Sequence, residues 1–337
     1  MKKFLATAIA LTIGAAACVF TACAGENDDG TYTVYAPDGA PALALANAVN
    51  EDDDRYDFRI VASNAITAQV QGEEPAADFC ILPVNVAAKL LGKGETYQML
   101  GTVTNGNMYL LTTGGNPEIT TDNLSTLVGK TVGVVQLNNV PGLTFQAVLS
   151  RNDIDYQILG NDVEAASDKV NLQAFADAST VTPASGCDYY LCPEPAATGK
   201  INGTASSANP FKLAGSLQTL YDGENGYPQA VLVAKTSVIE EAKSVVDTFI
   251  TYMEGSADFL ASASAADVVA LLEDCYTEGM TPSLNANNLN ATVIANCSVY
   301  FTAAQDCKSR VNAFLAELID LNAEFTSAVS DSFYYAG

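Results

Sequence analysis

The chain has 337 residues, 49% of them hydrophobic and 16% charged, a balance that belongs to a folded globular protein and argues against disorder. Its 39 acidic and 15 basic residues give a net charge of -24, which disfavours nucleic acid and anionic membrane surfaces as partners, because both demand clustered Lys and Arg. Histidine is absent, which removes His-based triads, HExxH zinc sites and imidazole acid–base chemistry.

Residues 1–22 read as a targeting segment: Lys2 and Lys3 supply the positive end, Phe4 to Phe20 the apolar core, and Thr21, Ala22 and Cys23 a small-residue site closed by cysteine. The segment resembles a bacterial lipoprotein signal, in which Cys23 is lipidated and becomes the first mature residue; Cys18, after Ala16 and Ala17, is a second candidate. Residues 23–30 then form an acidic tether. No later run is apolar and long enough to span a bilayer. The mature chain is therefore expected outside the cytoplasm, held to the membrane by its lipid alone.

TYTVYAPDGAPALALANAV (31–49) reads as strand, polar loop and helix, with Pro37 to Gly39 breaking the strand and Pro41 opening an Ala- and Leu-rich helix. Such a helix start leaves backbone N–H groups without intrahelical partners, so the loop suits a polar or anionic ligand group. YDFRIVA (56–62) is a second strand, with Ser63 and Asn64 as caps for the helix-like AITAQVQ. ADFCILPVNVAAKLL (77–91) runs from a buried strand through Pro83 into another helix. Strands alternating with helices at this spacing predict an α/β fold with mainly parallel sheets flanked by helices.

YQMLGTVTNGNMYLLTT (97–113) carries two strand-like runs split by Asn105, Gly106 and Asn107, a candidate crossing between domains. The pattern restarts in TVGVV at Thr131, and GVVQLNNVPGLTFQAVLS repeats the first unit with Pro141 in the place of Pro41. GCDYYLCPEPAATGK repeats the third unit: Asp188 and Pro193 stand 110 residues after Asp78 and Pro83. Two lobes of similar topology follow, lobe 1 from residues 31–106 and 227–337 and lobe 2 from 107–226. From Ser237 onward the sequence reads as largely helical, with apolar residues at spacings of three and four.

Loops leaving the carboxyl ends of parallel strands line the crevice where ligands bind. This selects Asp38, Gly39, Ala40, Asn64 and Asn85 from the first lobe, with Gln136, Asn138, Asn139 and Glu194 from the second. Asn107 and Tyr109 lie by the first crossing and Tyr227 by the return. Several have plainer uses: Asp38 can hold a turn, Asn64, Asn138 and Asn139 can cap helices, Glu194 can complement a helix N-terminus, and both tyrosines can serve packing. None of these residues is Arg or Lys, so a sulfonate or nitrate would rely on helix amides, whereas a neutral heterocycle or a cationic amine suits the carboxylates better.

No GxSxG elbow or CxxC pair occurs, and GKT at 129–131 lacks the first glycine of a phosphate loop, with Leu124 in its place. The run Glu51 to Asp54 lacks the glycine and spacing of a calcium loop. These features predict no catalytic residue, no metal and no cofactor. Cys187 and Cys192, at the two ends of one strand, would lie roughly 16 Å apart, too far for a disulfide. Cys297 with Cys275 or Cys307 is the pairing left to test.

The leader together with YAPDGAPALALA, ADFCILPVNVAAKLL, LVGKTVGVVQLNNVPGLTFQAVL and CDYYLCPEPAATGK resembles the nitrate, sulfonate, taurine and thiamine-pyrimidine group of substrate-binding proteins that serve ABC importers. The resemblance spans nearly the whole mature chain. It implies a two-lobed type II periplasmic-binding-protein fold that closes on a small-molecule solute, an ABC permease as partner, and a monomeric lipoprotein that is not an enzyme. Eukaryotic pyrimidine-synthesising relatives use histidine, so their activity does not carry over. A ligand-sensing or adhesion lipoprotein on the same fold, without transport, is the alternative.

Overall fold

The structure, a computed structural model, describes residues 30–223 and 225–337. The leader, Cys18, Cys23 and nearly all of the acidic tether lie outside the described residues.

The chain opens with β1 (Tyr32–Pro37), α1 (Ala40–Leu43), α2 (Ala46–Asn50), β2 (Tyr56–Val61), β3 (Phe79–Pro83), α3 (Val84–Leu91) and β4 (Tyr97–Thr104). It continues with β5 (Met108–Thr112), β6 (Thr131–Val135), α4 (Val140–Arg151), β7 (Tyr156–Ile158), β8 (Val170–Phe175), β9 (Tyr189–Pro193), α5 (Ala196–Thr204), β10 (Lys212–Ser216) and α6 (Leu217–Asp222). It ends with β11 (Ala230–Lys235), α7 (Thr236–Glu241), α8 (Lys243–Glu254), α9 (Ser256–Ser262), α10 (Ala265–Glu273), α11 (Ala291–Asn296), β12 (Val299–Ala303) and α12 (Ala304–Asn322).

Two six-stranded sheets result, with orders β12-β4-β11-β3-β1-β2 and β10-β5-β9-β6-β8-β7. In the first, β1 to β4 point one way and β11 and β12 the other; in the second, only β5 opposes the rest. The strands buried on both faces, such as Phe79–Leu82 and Tyr189–Cys192, read as continuous apolar runs because helices cover both sides. The chain crosses between sheets at residues 105–107 and again at 225–229, and α12 packs against both lobes: Phe314 stacks on Tyr227, and Glu317 pairs with Arg151 at the end of α4.

The two prolines that open the first helix of each lobe sit where a missing N–H costs nothing, Pro41 at the start of α1 and Pro141 at the start of α4. Local departures from the sequence reading have physical causes. The helix expected after Pro41 is broken into two short pieces, α1 and α2. Ser63 and Asn64 cap nothing by side chain; Ala65 precedes a 3-10 turn, Ile66–Val70. The last third is not purely helical, because β12 adds an antiparallel edge strand to β4 and a long irregular stretch precedes it. The cysteine pairing also fails: Cys80, Cys187, Cys192, Cys275, Cys297 and Cys307 are all free and buried. Burial pushes the Cys187 and Cys275 thiols up to about 11 and Cys192 to about 12, so they behave as small hydrophobes.

Candidate functional site

The carboxyl ends of β1 and β3 in one sheet and of β6 and β9 in the other carry the loops selected from the sequence. In the first lobe, Gly39 has φ +100°, a backbone conformation that favours glycine, and it lets the chain turn directly into α1. Asp38 just before it is fully engaged by its own chain. Its Oδ1 accepts from Gly39 N (2.8 Å), Tyr276 OH (2.9 Å) and Ser283 Oγ (2.9 Å), and Oδ2 accepts from Ser283 N (2.9 Å). Burial, reinforced by the Asp38 charge, pushes the Tyr276 hydroxyl far above its ordinary pKa, so it stays a donor.

Tyr276 and Ser283 belong to an irregular stretch, residues 275–290, that sequence reading passed over. It starts on the outer edge of the first sheet, where Ile60 N donates to Cys275 O (2.7 Å) and Thr277 N to Ile60 O (3.0 Å). From there it crosses the loop ends, meets Asp38 at Ser283, and brings Asn288 within reach of lobe 2: a Cβ on Gly199 would lie 3.4 Å from the Asn288 Cβ. Asn290 caps α11, whose last residue, Asn296, faces Glu194 and Tyr109 of the second lobe. Ser298 then accepts from Asn105 N at the crossing (3.1 Å). We call residues 276–298 the strap. It covers the crevice edge of lobe 1 from β2 to β12. Its run SLNANNLN, rich in loop-forming Asn, is the signal that could have revealed it.

In the second lobe, Gln136 follows β6 at φ +56°, uncommon for a residue with a side chain, and its Oε1 lies 3.5 Å from Asn139 Nδ2. Asn139 caps α4 by accepting from Val140 N (2.9 Å). Glu194, 4% exposed, accepts at Oε2 from Thr198 N (3.0 Å) and at Oε1 from Thr198 Oγ1 (2.8 Å), steadying the first turn of α5. Oε1 also faces Asn296 Nδ2 across the lobe boundary at 3.5 Å, a long and weak bond. Tyr109 OH donates to Asn296 O (3.2 Å), and burial, then the charge of Glu194, pushes its pKa up to about 12.

The crossing joins these parts. Asn107 Nδ2 donates to Glu194 O and Glu194 N to Asn107 O, both 2.8 Å. Gln229, on the return segment, donates from Nε2 to Asn107 Oδ1 (2.7 Å) and accepts at Oε1 from Asn107 N (3.0 Å). This doubled amide pair ties both crossings to the loop that carries Glu194. The structure therefore brings together Asn107, Tyr109 and Glu194, adding Gln229 and Asn296, which the sequence did not single out.

The other candidates sit apart. Asn85 is buried in the first turn of α3, donating to Phe325 O (3.0 Å) and leaving its Oδ1 without a partner. Ala40 is buried in the core. Tyr227 is fully buried between Tyr221 and Phe314 and fastens α12 to the return segment. Asn64 and Asn138 are exposed and, among the described residues, make no side-chain hydrogen bond. Among the described residues no cluster of three or more Cys, Asp or Glu side chains could hold a metal ion, and no helix is long and apolar enough to cross a membrane.

Comparison with solved structures addresses this architecture. An ABC transporter protein from Parabacteroides distasonis superposes with a TM-score of 0.68 at 18% identity, covering 91% of this chain and 99% of that one. The periplasmic aliphatic sulphonate-binding protein SsuA of Escherichia coli gives 0.62 at 12% identity, over 90% and 92% of the two chains. The chain has the two-lobed type II periplasmic-binding-protein fold. The ligand-binding component of an ABC-type import system from Staphylococcus aureus, with zinc bound, gives 0.58 at 10% identity, over 91% and 96%. The structural neighbours of this fold thus include proteins described as an ABC transporter, a sulphonate-binding protein and a ligand-binding component of an ABC-type import system. No family model matches the sequence, and no curated protein does.

Proposed function

We propose that this chain is an extracytoplasmic solute-binding protein, a monomer of two lobes formed by residues 31–106 with 227–337 and by 107–226, without catalytic activity, that delivers a small polar organic ligand to an ABC permease. The observation that carries the reading is Glu194: a buried carboxylate on the crevice edge of lobe 2, hydrogen-bonded through its backbone to the crossing and meeting lobe 1 at Asn296 through a 3.5 Å contact. Opening the lobes breaks that weak bond at little cost, and a donor group on a solute replaces Asn296 with a stronger, charge-assisted one. The solute's other end then lies near Asp38, Gly39, Gln136 and the strap amides.

The residues named for this wall include no Arg or Lys, which favours an amine or a neutral heterocycle over a sulfonate. The neighbours' names include a sulphonate-binding protein, so ligand class is the point on which this chain would depart from that relative. Lipidation at Cys23 and tethering through residues 23–30 complete the proposal: substrate capture at the membrane surface beside a permease.

Calorimetry against pyrimidines, amines, vitamins and sulfonates is the test. Micromolar or tighter binding of an amine or heterocycle, weakened about tenfold or more in Glu194→Gln, is expected. Tight binding of sulfonates alone would overturn the ligand class. Binding of a protein partner and of no solute would overturn transport in favour of sensing.

A further inference from the structure

The two lobes touch on either side of the crossings. On the crevice side the contact is slight: Asn296 Nδ2 lies 3.5 Å from Glu194 Oε1, and Tyr109 OH donates to Asn296 O at 3.2 Å. The other contact is made by α12. Its Arg310 donates from Nη1 to Asn105 Oδ1 (3.1 Å) and from Nη2 to Asn225 O, gripping one residue of each crossing. Seven residues on, about 10 Å along the helix, Glu317 reaches lobe 2 and meets Arg151, the last residue of α4. Because α4 starts at the crevice edge with Asn139 as its cap, the rise from Val140 carries Arg151 about 16 Å away from that edge. The crossings therefore stand between the two contacts.

The far contact is the stronger one. Arg151 donates from Nε to Glu317 Oε1 and from Nη2 to Oε2 (2.7 Å), a bidentate pair. Tyr221, near the end of α6, closes a triangle with them. Its hydroxyl accepts from Arg151 Nη2 (2.9 Å) and donates to Glu317 Oε2 (2.7 Å), and its carbonyl oxygen accepts from Arg151 Nη1 (3.1 Å). The guanidinium also lies 4.1 Å from the centre of the Tyr221 ring, against which Phe314 of α12 packs edge-on at 5.6 Å. Every polar contact here is at hydrogen-bonding length, whereas the Asn296 contact to Glu194 is stretched. The lobes are thus set with the far side engaged and the crevice side barely touching.

We propose that Arg151, Tyr221 and Glu317 form a latch that holds the lobes apart at the crevice. Rocking about the crossings to narrow the crevice draws Glu317 away from Arg151, so closure works against the latch. By keeping the closed arrangement a minor one, the latch weakens solute capture and eases release.

Hydrogen exchange and small-angle scattering on the full chain, with no solute present, test the latch. Glu317→Gln and Arg151→Met each break the bidentate pair at side chains that are 21% and 45% exposed, without cutting into the core. Amide exchange at Val293–Cys297 in the strap is expected to slow about two- to fivefold, the shift in a two-state ratio that a pair of this exposure supplies, and the radius of gyration to fall. The double variant should do no more than either single one, because both remove the same bond. Tyr221→Phe keeps the ring, loses the hydroxyl and gives a smaller slowing in the same direction. Lys243→Gln removes an ion pair to Asp247 inside lobe 1 and should leave the strap as it was. A pair that merely pinned α12 in place would instead quicken exchange in strap and crossings alike. Unchanged or faster strap exchange in Glu317→Gln and Arg151→Met overturns the latch. That outcome leaves the crevice reading intact, because none of the three residues belongs to it.

Discussion

In lobe 1, Asp78 accepts from Thr33 N at 2.9 Å and donates its own N–H to Thr33 O at 3.0 Å, just before β3. In lobe 2, Asp188 makes the same pair of bonds with Thr131, both at 2.9 Å, just before β9. At the other end of these strands Pro83 pairs with Ala230, the first residue of β11, and Pro193 with Met108, the first residue of β5. The halves are thus equivalent in their scaffold, down to the register of the strand that follows each crossing. They differ at the crevice: lobe 1 overlays its loops with the strap, which Asp38 holds, whereas in lobe 2 Glu194 is held by Thr198 of its own lobe and meets the strap through one long contact, to Asn296. Shared architecture sets where a site falls, and the unshared segment sets what the site can bind.

The largest expected effects test whether the equivalent scaffolds are also one energetic unit. Phe249, packed on Phe79 at 4.7 Å between centroids and on Tyr56 at 5.0 Å, anchors lobe 1, and Phe145 is fully buried in lobe 2. Truncating either to Ala is expected to cost about 3–5 kcal/mol in urea denaturation. Because α12 packs on both lobes, each variant should shift one common transition; two separate transitions would show that the halves unfold independently.

Next in size is the repeated aspartate. Asp78→Ala and Asp188→Ala each leave a threonine N–H without its carboxylate, at about 1–3 kcal/mol. Asp78 should cost more, because Lys235 Nζ reaches its Oδ1 at 2.9 Å and both side chains are largely covered, whereas Lys130 lies 3.5 Å from a more exposed Asp188. Equal losses would mean that the ion pairs add nothing in either lobe.

A smaller effect separates the strap from the scaffold. Ser283→Ala removes one of four hydrogen bonds to Asp38 but no core packing, so global stability should fall by only about 1 kcal/mol. Amide exchange across residues 277–290 should nevertheless quicken several-fold, since the stretch buries little besides Leu284 and Leu289. Unchanged exchange there would make the strap a fixed wall of lobe 1.

Much of the scaffold could be read from sequence because its signals are local. Asp78 and Asp188, Pro83 and Pro193, and Pro41 and Pro141 each sit at the border of a short strand or helix whose residue pattern is local, so their 110-residue or 100-residue echo exposes the repeat. Asn107, Tyr109 and Glu194 were selected as candidates by their place at strand ends, and the structure brings them together. The strap, β12 and the partners of Asp38 were not, because they depend on contacts made more than 200 residues along the chain, such as Tyr276 with Asp38.

The last contrast concerns acid. The turn into the edge strand β2 is held by a titratable fork: Asp53 Oδ2 pairs with Arg55 Nη2 at 2.6 Å and accepts from Tyr252 OH at 3.0 Å. Hydrogen bonding from Arg55 holds the Asp53 carboxyl below its ordinary 3.8, at about 2. The matching approach to β8 in lobe 2 is held by a neutral amide, with Asn171 Oδ1 accepting from Ala166 N (2.8 Å) and Gln157 Nε2 (2.9 Å). A carboxylate whose pKa is depressed by folding contributes stability that is complete above its unfolded value and lost as pH falls toward its folded one. Lobe 1 should therefore loosen first between pH 3.8 and about 2, with Tyr56–Val61 amides losing protection before Val170–Phe175 amides after correction for intrinsic exchange. Asp53→Asn should abolish that difference in pH response. If the variant keeps the same acid-dependent loss at β2, the fork is not what distinguishes the two strands.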